Sequence, residues 1–115
     1  MRSRIGPAVL AISILFPGCG GPTPASADAR FQEASLQLRL GNLEQALAIA
    51  DREFRRWHAL PDTVAHWQFR NLTVEILLAQ GKTKEALALV EAKPPLGPAF
   101  REQAARRLMN LGRAR

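Results

Sequence analysis

Leu40-Gly41-Asn42-Leu43-Glu44-Gln45-Ala46-Leu47-Ala48-Ile49 and Gln80-Gly81-Lys82-Thr83-Lys84-Glu85-Ala86-Leu87-Ala88-Leu89 are one segment written twice, 40 residues apart. Gly, Ala, Leu and Ala agree in register, and Ile49 corresponds to Leu89. A repeat of this length is the signature of stacked supersecondary units. Each glycine stands where one amphipathic run stops and the next begins. Glycine tolerates the left-handed backbone that closes a helix, so both positions predict the turn of a helical hairpin. A third copy opens at Leu111-Gly112-Arg113-Ala114, which predicts another turn and favours a chain that continues past Arg115.

The flanking residues carry the helical period. Phe31, Ala34 and Leu38 recur at helical spacing before Gly41, and Leu43, Ala46, Leu47, Ala50, Phe54 and Trp57 do so after it. The first hairpin therefore covers residues 29–58. In the second, over 62–93, one stripe is Val64, Trp67, Asn71, Val74 and Leu78, and another is Phe69, Leu72, Ile76 and Leu77. A helix apolar on two sides is one sandwiched between neighbours. Pro61-Asp62 suits its start, with Asp62 or Thr63 as N-cap. Ala86, Leu87, Leu89 and Val90 face inward from its partner, which Pro94-Pro95 must end by about Lys93. A final helix is expected over 98–112, burying Phe100, Ala104, Leu108 and Leu111. The fold class is all-α, about five helices in antiparallel hairpins stacked in sequence.

Gly at the turn with Ala five residues later, at Gly41/Ala46 and Gly81/Ala86, resembles the tetratricopeptide (TPR) repeat. That family also places a small residue seven before the Gly, a position filled here by Ala34 and Ala105 but by Val74 in the second repeat. The spacing of 40 exceeds the family's usual 34, so the linker from Trp57 to Asp62 must absorb the excess. The resemblance spans about residues 30–115 and implies a short solenoid that binds proteins. A fainter likeness, carried by Trp67-Gln68-Phe69-Arg70 and Glu75-Ile76-Leu77-Leu78-Ala79-Gln80-Gly81, is to the N-terminal repeat region of bacterial CHAT-domain proteins. It implies a caspase-like peptidase domain after the repeats, which the present residues do not include.

Upstream of the repeats, Met1-Arg2-Ser3-Arg4 precedes an apolar run from Ile5 to Phe16 and then Pro17-Gly18-Cys19. A basic start with about a dozen apolar residues is the layout of a secretory signal, too short to span a bilayer. Its end resembles the bacterial lipobox, although Phe16 replaces the preferred Leu and Pro17 is unusual before Gly. The resemblance implies cleavage after Gly18, which makes residues 1–18 a signal peptide. It also implies a diacylglyceryl thioether on Cys19, with further acyl groups such as palmitate, and anchoring to a bacterial membrane on the periplasmic side or cell surface. The alternative is a leftover Cys in a conventional signal peptide or an uncleaved anchor. Residues 19–28, rich in Gly, Pro, Ser and Thr, are read as a flexible tether.

Chemistry-bearing constellations are sparse. The chain has one Cys, which excludes an intrachain disulfide framework. His58 and His66 are separated by Pro61 and have no neighbouring thiol, so no metal site is expected. No nucleophile motif or phosphate loop stands out, and neither an enzyme nor a cofactor is expected. The net charge of +6 is unevenly placed. Nine basic and nine acidic residues cancel between Asp28 and Lys93, while five Arg face only Glu102 after Pro94. That distribution argues against nucleic-acid binding, which spreads cations over a face with base-contacting groups. Arg52, Arg55 and Arg56 suit a helix C-terminus, and Arg106 and Arg107 are placed on the outer side of the last helix.

The polar residues of the first helices, Arg30, Gln37, Gln68, Arg70 and Asn71, are the candidate partner groove. The expected role is a membrane-anchored interaction module of the cell envelope whose partner is an envelope protein or peptide. A bare structural spacer, or the repeat region of a larger CHAT protein, are the alternatives.

Overall fold

The computed structural model describes residues 23–115. The signal segment, Gly18, Cys19 and the start of the tether lie outside the described residues. Among those described, five α-helices follow one another: α1 Pro24–Arg39, α2 Leu43–Trp57, α3 Val64–Ala79, α4 Thr83–Val90 and α5 Arg101–Ala114, the last preceded by a 3-10 turn at Pro98–Phe100.

The first helix begins inside the stretch read as tether. Thr23 is its N-cap, accepting from the Ser26 backbone N–H at 3.1 Å, while the Ser26 hydroxyl accepts from Thr23 N–H at 3.2 Å. This is a capping box with Pro24 in the first turn, where a missing N–H costs nothing. Ala27 is then carried into the core at 2% exposure. Residues 24–28 therefore belong to the helical domain. Thr, Pro and Ser in this order start a helix, whereas composition alone suggests a linker.

Both repeated glycines close their hairpins by the same backbone geometry. Gly41 has φ +83° and Gly81 φ +80°. Asn42 N–H donates to Gln37 O at 2.9 Å and Gly41 N–H to Leu38 O at 3.0 Å; Lys82 to Leu77 O at 2.8 Å and Gly81 to Leu78 O at 3.0 Å repeat the pattern. These paired bonds are Schellman motifs, which satisfy the last carbonyls of α1 and α3. The third expected turn is absent: Gly112 lies within α5 and has no left-handed backbone.

Helix α3 packs against each of the other four. Its Trp67, Phe69, Leu72, Val74, Ile76 and Leu77 are all buried, as two apolar stripes require. One side meets α1 and α2 through Ala34, Ala46, Ala50, Phe54 and Trp57; the other meets α4 through Ala86 and Val90. The fully buried alanines let the backbones of each hairpin approach closely. Thr63 rather than Asp62 is the α3 N-cap, accepting from His66 N–H at 3.4 Å.

Helix α5 differs from its expected orientation. Leu108 is 61% exposed, and Phe100, Ala104 and Leu111 are only half-buried. The buried positions are Gln103 and Asn110. The apolar stripe predicts the wrong face because α3 offers α5 polar partners, Asn71 and Glu75.

Candidate functional site

The residues expected to line one groove have different fates. Arg30 is exposed and pairs with Glu33 at 2.8 Å on its own helix. Gln37 is half-buried and accepts from Asn42 Nδ2 at 2.8 Å, bracing the first turn. Gln68 is half-buried. Arg70 donates through Nε to Leu89 O at 2.7 Å, with its guanidinium 5.6 Å from the Phe54 ring and 5.5 Å from the Trp67 ring. That arrangement ties α3 to both α4 and α2, and burial lowers its pKa from the ordinary arginine value. Asn71 is buried at 3% exposure. Its Nδ2 donates to Gln103 O and Oε1, both at 3.0 Å. Asn71 is thus withdrawn from the proposed groove, because an inward position on α3 faces α5 rather than solvent. Arg70 is largely committed to internal contacts.

A polar seam joins α3 to α5. Arg106 holds Glu75 through two guanidinium nitrogens, Nη2 to Oε1 at 2.7 Å and Nε to Oε2 at 3.2 Å, and lies 5.4 Å from the Phe31 ring. Such a two-point pair fixes orientation as well as charge. Asn110 Nδ2 donates to Glu75 Oε2 at 3.1 Å. Arg107 is bound too, donating to Val90 O at 2.7 Å and Glu91 O at 3.2 Å, the carbonyl end of α4. The expectation that Arg106 and Arg107 face outward is therefore corrected. The missed signal is a pair of matching polar stripes: Asn71 and Glu75 four apart on α3, and Gln103, Arg106 and Asn110 on α5.

The linker between the hairpins is clasped by the first turn of α3. His66 Nδ1 lies 3.0 Å from Trp57 O, Trp67 Nε1 donates to Pro61 O at 2.7 Å, and Thr63 Oγ1 to Leu60 O at 2.7 Å. A carbonyl only accepts, so the neutral His66 ring carries its proton on Nδ1. The His58 and His66 rings are 6.3 Å apart, both edge-on to Phe54. Burial lowers the His66 pKa most; the hydrogen bond to the Trp57 carbonyl opposes it, and the charges of Arg70 and then His58 add smaller lowering effects. Glu53, one turn before Trp57, is buried at 1% exposure, with Oε2 3.4 Å from Arg56 Nη1.

A second surface lies between the α4–α5 linker and α5. Lys93, Pro95, Leu96, Phe100, Arg101 and Leu108 line an open groove of about 440 Å³. No group of three His, Cys, Asp or Glu converges on a common point among the described residues. No described helix is long and apolar enough to cross a membrane.

The chain matches no protein-family model, no curated protein and no solved structure. What its geometry defines is a small all-helical domain of five helices packed in sequence.

Proposed function

We propose that this chain is a protein-binding adaptor of the bacterial cell envelope, a short TPR-like stack held at a membrane by acyl groups on Cys19. One observation carries the reading: two consecutive hairpins are closed by the same turn at Gly41 and Gly81, and the first packs on helix α3 of the second. Hairpins stacked in this way build an extended surface, and such surfaces receive peptides and helices. The anchor is supported by the sequence alone, through the sole Cys at the end of the apolar run with Gly18 before it. Several acyl chains at one residue give durable attachment where a single chain is marginal. No catalytic step is assigned to the chain.

The test uses the full chain in the bacterium that makes it, with a photo-crosslinking residue at exposed positions and a Cys19→Ser version beside it. The wild-type chain is expected to sediment with membranes and to crosslink to a discrete envelope protein. Cys19→Ser is expected to leave the membrane fraction. Failure of the wild-type chain to sediment with membranes contradicts the anchor. The absence of any discrete crosslink contradicts the adaptor role.

A further inference from the structure

We infer that the groove between the α4–α5 linker and helix α5 docks an acidic amphipathic helix of a partner protein. The inference rests on the adaptor reading and deepens it by assigning the partner's chemistry. Leu96 is 100% exposed and Leu108 61% exposed, an investment of apolar surface that folding alone leaves in water. Pro94 and Pro95 rigidify the linker wall, and Gly97 at φ +133° redirects the chain into the 3-10 turn that presents Phe100. The groove is thereby built into the backbone.

Its charge selects the occupant. Residues 93–115 carry six cationic side chains and a single carboxylate, Glu102. Among the described residues only Arg106 of these six has a carboxylate partner, Glu75. Lys93, Arg101 and Arg107 stand at the groove itself. Arg107 is held there by the Val90 and Glu91 carbonyls, which orient its guanidinium without neutralising it. An apolar floor between uncompensated cations matches a helix with apolar residues along one face and Glu or Asp flanking them. The cations ring a recess rather than crown a convex tip, which favours a helix over a flat bilayer surface.

The probe is a fluorescent synthetic peptide of about four helical turns, long enough to present a full face, with Leu on one stripe and Glu on the rest. A second peptide carries Lys in place of Glu. Saturable binding of the Glu peptide is expected, weakening at least about tenfold in the Lys93→Glu/Arg101→Glu chain and falling with added salt. Arg39→Glu, a charge reversal of the same kind at the exposed end of α1, is expected to bind as the wild type does. Leu96→Asp tests the floor independently of the charges. These substitutions are at exposed positions, and a thermal melt verifies folding. Equal binding of the Lys peptide, or indifference to Lys93→Glu/Arg101→Glu, overturns the inference. So does sedimentation with phosphatidylglycerol vesicles without peptide binding, or a dimer that Leu96→Asp dissociates. Should Leu96→Asp and Lys93→Glu/Arg101→Glu chains still crosslink to the envelope partner in cells, the adaptor reading stands and this groove is not its docking site.

Discussion

Gly81 occupies φ +80°, and nothing lies within 4 Å of where its Cβ would stand. Substitution there introduces no clash, only the strain of left-handed backbone in an L-residue. Gly81→Ala is expected to cost about 1 kcal/mol, read as a lower urea midpoint with an unchanged slope. Gly81→Asn should lose less, since Asn tolerates that region better. His66 predicts a pH dependence. Its folded pKa lies below the ordinary histidine value of 6.5, so at neutral pH it is mostly uncharged in both folded and unfolded chains. As pH falls below 6.5 the unfolded chain binds the proton more readily, and stability declines until the folded pKa is passed. Unfolding midpoints between pH 7.5 and pH 5 (a window of roughly two units about the ordinary value) should fall for the wild type and fall less for His66→Gln. An equal fall in both would place the titration elsewhere. Gly41 and Gly81 are legible in the sequence because a backbone requirement repeats at fixed spacing, whereas Gly112 matches the spacing but lies within α5. The His66 contact is not legible, because it depends on how the linker folds back over Pro61.

At the level of elements, α5 is the instructive case. Sequence periodicity finds the helix but assigns Leu108 to its buried face, whereas Gln103 and Asn110 take that place. An apolar stripe predicts burial only where the neighbouring helix is apolar, and α3 presents Asn71 and Glu75 on that side. The boundary of α1 is obscured for a different reason: Thr23, Pro24 and Ser26 suit both a linker and a helix start. By contrast the buried apolar residues of α2 and most of those of α3 are readable, because they meet apolar partners; Val64, at 39% exposure, is the exception. The seam yields a sharp prediction. Asn71→Ala removes both bonds to Gln103 and should cost about 1–3 kcal/mol, the range for stranding a buried polar group. A double-mutant cycle with Gln103→Ala should show coupling, and amide exchange should quicken in α5 before α1 and α2. No coupling between the two positions would mean that α5 is held by its apolar contacts alone.

Across the whole molecule, internal contacts consume most of the residues that sequence reasoning assigns to a partner, while the exposed Leu96 and Leu108 stand beside Lys93, Arg101 and Arg107 at the α4–α5 end. The reading of the groove as a feature of the first helices follows from the TPR resemblance. It fails at Asn71 because α5 covers that part of α3. The two hairpins are legible from one repeated decapeptide and the apolar period that flanks it. The surface is not, since exposure depends on the packing of helices far apart in the sequence. The proposed membrane anchor is Cys19, and its most direct check is the intact mass of the protein extracted in detergent from the cells that make it. The expected species begins at Cys19 and is heavier by its acyl groups. An unacylated chain that retains Met1 would contradict it.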